Sequence, residues 1–299
     1  GGSNILYIIT LSDGFKLVIR LPAPGGDERW DDVAARAMAS QVSTLRLIAA
    51  KTKIPVPRVY DYDTTKDNVI GAPYMCMSFI PGRVLTEVWD DPELATPLEE
   101  RRRRVLEALA RSLAELAQLG GFNQIGSLQQ GDGGEIIEAG PFDTERSYFE
   151  YYYERSEGAG RRAKDTIIKR TVLPKFPFPG SSGGFVLSHP DLDAQNVMVE
   201  EDGNLTGIID WDFAHTAPRC VGYCKFPLFI AYDWVPLGVD SSTRELEQYR
   251  THYRWALGAA MGGAGDWKFT KKSHIWEAFM YAAESSFKGV WVSVCRKLI

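Results

Sequence analysis

The sequence is poor in cysteine and in long apolar runs. Its 299 residues include only four cysteines, too few for the disulfide framework of a small secreted domain. No uninterrupted apolar stretch reaches the roughly 18 residues that cross a membrane, and the first residues lack the basic and apolar regions of a secretory signal. We therefore expect reduced thiols, a cytoplasmic location and no membrane partner.

A strong excess of charge of one sign is also absent. The chain has 34 Lys and Arg residues against 39 Asp and Glu residues, a formal net charge of -5. This balance disfavours a nucleic-acid partner, because proteins that bind nucleic acids usually present strongly basic surfaces. The apolar content of 44% is typical of a globular protein, and the length suggests two domains or lobes. The composition does not bear on the oligomeric state.

The first 80 residues predict a small antiparallel sheet crossed by one helix. Apolar and β-branched residues on both sides of Ser12-Asp13-Gly14 indicate a hairpin. Apolar residues at helical spacing predict a helix over residues 31–50, which Ile54-Pro55-Val56-Pro57 ends. Two further short strands are expected, near residues 58–62 and 73–80. Pro81-Gly82 then breaks the pattern.

The residues beyond this break have mostly helical patterns. Thr96-Pro97-Leu98-Glu99 combines a capping box with proline at the first helical position, and Gly120-Gly121 is expected to end that helix. The basic run Arg101 to Arg104 lies inside it, and we interpret this run as a solvated face. Further helices are expected over residues 145–155, 243–257 and 274–296.

One segment differs, because short apolar strands enclose a polar loop. The loop reads His189-Pro190-Asp191-Leu192-Asp193-Ala194-Gln195-Asn196, and a hairpin after it leads to Asp210-Trp211-Asp212. Oxygen ligands from an Asn and an Asp suit Mg²⁺, which is bound largely through substrate phosphates. A separate Asp on the loop could accept a hydroxyl proton. These two functions together are what phosphoryl transfer requires of a protein.

These motifs resemble the aminoglycoside phosphotransferase and choline kinase branch of the protein-kinase-like superfamily, in particular its uncharacterised fungal members. The resemblance rests on residues 189–196 together with 207–212, and it is supported at 54–57 and 71–75. It implies an α+β, bilobal kinase-like fold. A nucleotide-binding lobe with a small antiparallel sheet would occupy residues 1–79, and a larger, mainly helical lobe with the catalytic loop and substrate site would occupy 80–299.

The resemblance also implies Mg²⁺-dependent transfer of the terminal phosphoryl group of ATP or GTP to a hydroxyl of a small molecule. Asp191 is then the catalytic base, Asn196 and Asp210 hold the magnesium ion, and His189 supports the loop. The acceptor is not readable from the sequence. The candidates for contacting it are Asp193, Asp212, Asp233 and Trp234.

On the nucleotide side, the resemblance places the phosphate-binding cation at Arg20, where kinases usually have lysine. Its usual glutamate partner on the crossing helix falls at Gln41, a neutral amide that can bond a guanidinium but cannot neutralise it. Main-chain groups of Ser78 and Ile80 would bond the purine edge. Gly2-Ser3 stands where a glycine-rich loop would cover the phosphates.

Two other functions remain open. The departures at Arg20 and Gln41 also fit a non-catalytic kinase-like module that binds a nucleotide or a small molecule. Gly180-Ser181-Ser182-Gly183-Gly184 matches the Gly-x-Ser-x-Gly pattern of a serine hydrolase, with Ser182 as the nucleophile. That motif requires a strand before it and a helix after it, whereas here prolines precede it and a strand follows. We therefore favour the phosphotransferase.

Overall fold

The computed structural model describes residues 4–23, 30–131, 136–154, 184–234 and 243–284. Gly2-Ser3 and the serine motif around Ser182 lie outside these described residues, as does the part of the last predicted helix beyond residue 284.

The N-terminal region is a four-stranded antiparallel sheet packed against one helix. Its strands are Asn4–Thr10 (β1), Lys16–Pro22 (β2), Val59–Asp63 (β3) and Tyr74–Ser78 (β4). They lie in the order β1-β2-β4-β3. Helix α1 spans Asp32–Lys51. Asp31 is its N-cap, and the side chain of Asp31 accepts hydrogen bonds from the backbone amides of Val33 and Ala34. The predicted hairpin, helix and two later strands are confirmed.

Two further sheets, one of three strands and one of four, follow in the described rest of the chain. Their strands are Arg83–Val84 (β5), Ile125–Gln130 (β6), Ile136–Phe142 (β7), Val186–Ser188 (β8), Val197–Val199 (β9), Leu205–Ile208 (β10) and His215–Ala217 (β11). One sheet has the order β10-β9-β5 and the other β7-β6-β11-β8. The sequence predicted β8, β9 and β10, whereas β5, β6, β7 and β11 were missed.

The larger part of the chain is mainly helical. Its helices are Leu85–Val88 (α2), Leu98–Ala114 (α3), Glu145–Glu154 (α4), Thr243–Ala260 (α5) and Trp267–Glu284 (α6). Helix α3 ends through a 3-10 turn at Gly120, whose φ of +82° suits glycine. The predicted capping box is wrong, because Pro97 stands at the cap position and no side chain bonds the first amides. Helix α6 begins earlier than the predicted residue 274.

The basic run on α3 is a second correction, because Arg101 and Arg102 are buried. Arg101 is 1% exposed and donates to the carbonyl oxygens of Val88 (2.9 Å) and Thr96 (2.8 Å). Arg102 is 7% exposed and bonds Glu245 (2.8 Å) and the hydroxyl of Tyr249 (2.6 Å). Their burial is tolerated because each guanidinium finds acceptors for its donors.

One hydrophobic core joins the N-terminal helix to the strands around the polar loop. Leu45 of α1, Leu109 of α3, and Val197 and Ile208 of the hairpin are each at most 2% exposed within it. The polar loop is therefore flanked by closely packed, buried strands. Within the described part of the chain, no helix combines the length and the apolarity needed to span a bilayer.

Candidate active site

The polar loop connects β8 to β9 and ends in a short 3-10 turn, Ala194–Asn196. Asp193 precedes this turn, and its carboxylate accepts from the backbone amide of Ala194 (2.8 Å). The hydroxyl of Tyr232 donates to both oxygens of the same carboxylate at 2.5 Å. Burial and this contact raise the pKa of Tyr232, so the phenol stays protonated and can donate. Asp193, a predicted substrate candidate, thus holds the loop in place.

His189 ties the beginning of the loop to the hairpin. It is 2% exposed, and its Nε2 lies 3.0 Å from the carbonyl oxygen of Ile209. Burial lowers its pKa to about 4, so the ring is neutral near pH 7 and Nε2–H can donate to that carbonyl. The ring also packs edge-on against Trp211, with centroids 4.7 Å apart. This geometry matches the supporting role that the resemblance implies.

Asn196 holds Asp191 in position. The side-chain amide of Asn196 donates to the carbonyl oxygen of Asp191 (2.8 Å) and to its carboxylate Oδ2 (3.1 Å). Gln195 donates to the same Oδ2 at 3.2 Å. Asn196 is only 5% exposed, whereas Asp191 is exposed. The carboxylate is thus fixed by amide donors and accessible to a ligand.

Asp210 lies beside this pair at the end of the hairpin. The backbone amide of Ile209 donates to the carbonyl of Asn196 (2.9 Å), which joins the two segments. Asp210 has a φ of +59°, a left-handed conformation that non-glycine residues seldom adopt. Burial and then the neighbouring charge of Asp212 raise its pKa, while Arg20 opposes the shift and Asp191 adds to it. The structure therefore brings Asp191, Asn196 and Asp210 together.

Arg20 reaches the same place from β2. Its Nη1 donates to Oδ1 of Asp212 at 2.7 Å, and its Nη2 contacts the other oxygen of that carboxylate. Nη2 also lies 3.1 Å from Oδ1 of Asp210. The predicted partner, Gln41, is 8% exposed and lines the same cavity of about 660 Å³ as Arg20 and Asp212. Arg20 thus pairs with both carboxylates.

The predicted hinge is attached to the hairpin that carries Asp210. The backbone amide of Ser78 donates to the carbonyl of Arg58 (2.9 Å), so this amide is already used within the protein. Ile80 packs against Gly207, where a Cβ atom would lie 2.6 Å from Cγ2 of Ile80. The amide of Ile208, the next residue, donates to the carbonyl of Pro55 (2.8 Å).

Two substrate candidates lie in packed surroundings instead. Asp233 is 3% exposed at its side chain and pairs with Arg250 through contacts of 2.7 and 3.2 Å. Both carboxylate oxygens of Asp233 therefore bond within the protein, and its contact with a substrate stays a prediction. Trp234 packs edge-on against His274 at 4.7 Å between ring centroids. The side chain of Asp212, the remaining substrate candidate, is 26% exposed and pairs with Arg20.

One polar contact to the loop was not found from the sequence. The ammonium of Lys225, itself 5% exposed, lies 3.4 Å from the carbonyl oxygen of Pro190 and 2.9 Å from a carboxylate oxygen of Glu277. Nothing in the local sequence marks this lysine, since its partners lie 35 and 52 residues away (225 − 190 and 277 − 225).

The available donors fit a magnesium ion that shares its ligands with a nucleotide. Across the described ranges, no group of three or more His, Cys, Asp or Glu side chains is arranged to hold a metal by itself. Asp210 supplies a carboxylate, and Asn196, whose NH₂ group faces Asp191, has its amide oxygen left to bind. Both are hard oxygen ligands, and Mg²⁺ commonly completes its shell with water and substrate phosphates.

A small antiparallel sheet with one helix, a hinge, and a mainly helical region with an Asp and Asn loop together define the fold of the kinase-like phosphotransferases. The chain belongs to the phosphotransferase enzyme family, whose sequence profile matches residues 1–259.

Two curated relatives are longer than this chain. Clavilactone A biosynthesis cluster protein Y from Ampulloclitocybe clavipes is 25% identical over 258 residues, which is 77% of this chain and 62% of that protein. Probable acyl-CoA dehydrogenase IBR3 from Arabidopsis thaliana is 28% identical over 222 residues, 72% of this chain and 25% of that protein. The chain thus spans a quarter of one relative and less than two thirds of the other.

Solved structures of antibiotic phosphotransferases share the fold. Aminoglycoside phosphotransferase APH(4)-Ia superposes with a TM-score of 0.57 at 15% identity, over 99% of this chain and 90% of that one. A ternary complex of a thermostable mutant of it with ADP and hygromycin B gives 0.55 at 15% identity, over 99% and 89%. The GDP complex of an aminoglycoside 2'-phosphotransferase-IIIa mutant gives 0.52 at 16% identity, over 100% and 86%.

Proposed function

We propose that this protein transfers the terminal phosphoryl group of ATP or GTP to a hydroxyl group of a small molecule, with Mg²⁺ as the cofactor. The observation that carries the proposal is the contact of Asn196 with Asp191 at 3.1 Å, beside Asp210. An accessible carboxylate, Asp191, thus lies close to two oxygen ligands of the kind Mg²⁺ prefers, Asn196 and Asp210. Family membership and the shared fold support it.

Asp191 is the general base in this proposal. Its carboxylate is exposed and held by the amides of Asn196 and Gln195, so it can orient a hydroxyl and accept its proton. The hydroxyl oxygen then forms a bond to the terminal phosphorus while the bond to the nucleoside diphosphate breaks. Asn196 and Asp210 hold Mg²⁺, which neutralises phosphate charge when bound.

The nucleotide lies between β2 and the hairpin in this proposal. Arg20 contributes a positive charge for the phosphates, and the carbonyl of Ser78 and the main chain of Ile80 contact the purine edge. Gly2-Ser3 would cover the phosphates. The relatives crystallised with ADP and with GDP are consistent with either nucleotide. The proposed lobes are residues 1–79 and 80–299, and the proposed location is the cytoplasm.

A nucleotide-binding module without catalysis is the second candidate. The observation that favours it is the contact of Arg20 with Asp210 at 3.1 Å. A guanidinium at this place already compensates the charge of the carboxylate that would bind Mg²⁺. The two candidates differ in whether phosphoryl transfer occurs once the nucleotide is bound.

The test is a transfer assay with radiolabelled ATP and GTP, MgCl₂, and a panel of alcohols, amino alcohols and amino sugars. We expect at least one labelled product from the wild type, and about 10³-fold slower turnover in Asp191→Asn, with an unchanged unfolding temperature. Transfer at the wild-type rate by Asp191→Asn would reject the assignment of the base. Nucleotide binding without any labelled product would select the binding module.

A further inference from the structure

The side chain of Arg20 is nearly buried although it ends in a charged guanidinium. It is 9% exposed. Within the described residues, its two carboxylate partners are Asp210 and Asp212. A buried guanidinium needs such partners, because its desolvation cost is large and is offset only by close, hydrogen-bonded charges. The orientation of Arg20 therefore depends on which carboxylate holds it.

The two carboxylates hold Arg20 in different ways. Both terminal nitrogens of Arg20 face Asp212, one at 2.7 Å from Oδ1 and the other on Oδ2, which is the paired geometry a guanidinium favours. Asp210 receives a single contact of 3.1 Å from Nη2. Asp212 is consequently the partner that fixes the plane of the guanidinium, and Asp210 is an additional contact.

Helix α1 contributes the neutral Gln41 to this cavity, while its cap residue Asp31 also lines the cavity. Gln41 lines it together with Arg20 and Asp212, but its amide is neutral. We propose that Asp212 positions the guanidinium of Arg20 to bind nucleotide phosphates. Asp212 also keeps that guanidinium in place when Asp210 binds a divalent cation. This inference rests on the proposed function, and it assigns Asp212 to positioning rather than to contact with the acceptor.

Removing the charge of Asp212 would remove the two-point contact that fixes the plane of the guanidinium. The guanidinium would then be freer to bond Asp210 in competition with Mg²⁺. Asp212→Asn, which keeps the shape of the side chain, should weaken nucleotide binding in the presence of Mg²⁺ by about tenfold. It should also raise the MgCl₂ concentration needed for half-maximal binding. Asp212→Glu retains a carboxylate and should stay within about threefold of wild type.

The experiment is a double-mutant cycle read by calorimetry. ADP and GDP are each titrated, with excess MgCl₂, into the wild type, Asp212→Asn, Arg20→Gln and the double variant. Because Asp212 acts through Arg20, we expect Asp212→Asn to change the Kd less than about twofold in the Arg20→Gln background. Asp67→Asn, at an exposed aspartate between β3 and β4, is the matched control and should bind like wild type.

The outcomes separate this inference from the proposed function. Wild type that binds a nucleotide, together with Asp212→Asn that binds it equally well, overturns the inference alone. The same follows if Asp212→Asn weakens binding equally in both backgrounds, since the effect would then not pass through Arg20. Wild type that binds neither ADP nor GDP with MgCl₂ overturns the proposed function and the positioning role with it. Urea unfolding of each variant shows whether lost binding arises from lost folding.

Discussion

The two sides of the candidate site are built differently. On the side of Asp191 and Asn196, the strands around the loop are buried, with Leu187 of β8 at 1% and Val197 and Ile208 of β9 and β10 at 0% exposure. On the side of Arg20, the neighbouring strand β1 lies at the edge of its sheet and exposes apolar side chains, with Ile8 at 60%. Geometry on the first side is held by many local contacts, whereas on the second it depends on a few ion pairs across the molecule.

The strongest test of this contrast is Asn196→Ala. The substitution removes both hydrogen bonds to Asp191 and one proposed ligand of Mg²⁺, so we expect turnover to fall about 10³-fold. The measurement is the steady-state rate of phosphoryl transfer to the best acceptor found. Gln195→Ala is the control, because it removes only one bond of 3.2 Å from an exposed amide, and it should lower the rate less than about threefold. Equal losses in the two variants would contradict the role of Asn196.

The buried His189 should also make the free energy of unfolding depend on pH. The pKa of His189 is lowered from its usual 6.5 to about 4, so protonation is opposed in the folded state and not in the unfolded chain. The stability that this residue contributes is fully present above pH 6.5 and is lost as the pH falls through 4. The loss is about 3 kcal/mol, from roughly 1.4 kcal/mol for each pKa unit.

Urea unfolding of wild type and His189→Gln, each at several pH values between neutral and 4, measures this loss. Glutamine keeps an N–H donor for the carbonyl of Ile209 and does not titrate in this range. The variant should therefore show a flatter dependence of stability on pH. An equally steep acid loss in the variant would assign the effect to other groups.

The contact between Ile80 of the predicted hinge and Gly207 of the β9-β10 hairpin allows a third test. In Gly207→Ala the new methyl group would meet Cγ2 of Ile80 at 2.6 Å and the carbonyl oxygen of Pro55 at 3.3 Å. We expect a loss of about 1–3 kcal/mol in the free energy of unfolding, because the surroundings must shift. Ile80→Ala should relieve part of this loss, so that the double variant is more stable than the sum of the single effects predicts. Strict additivity would show that the two residues do not press on each other.

The smallest effect compares one chemical change at two positions. Ile208→Val removes a methylene from a fully buried side chain and should cost about 1 kcal/mol. Ile8→Val makes the same change on exposed β1 and should stay within about 0.5 kcal/mol. The free energy of unfolding in urea measures both. A comparable cost at Ile8 would show that β1 is covered in solution.

The sequence predicted the elements whose signals are local. The β1-β2 hairpin, α1 and the loop from His189 to Asn196 follow from turn residues, apolar spacing and a compact motif. Strands β5 and β11 are only two and three residues long, and so short a segment has no periodicity to detect. Strand β6 was missed too, because its apolar and polar residues do not alternate clearly.

The remaining differences arise from side-chain contacts that the local sequence does not announce. Arg20 and Asp212 are 192 residues apart, and no pattern in either segment announces their pairing. Arg101 and Arg102 look like surface residues because charged side chains are seldom buried. Only the folded chain shows the carbonyl and carboxylate oxygens that accept their donors. The pairing of Asp233 with Arg250 is not marked locally either, since Arg250 lies on helix α5, 17 residues further along the chain.

The hydrogen bond from Ile208 to Pro55 has a mechanical consequence. Together with the contact between Ile80 and Gly207, this hydrogen bond attaches one end of the N-terminal sheet to the hairpin that ends in Asp210. Closure over a ligand would then be a rotation about this line of contacts, which moves the tip of β1 far and the proposed ligands of Mg²⁺ little. A bound ligand could thus be enclosed while the spacing of the reacting groups is preserved.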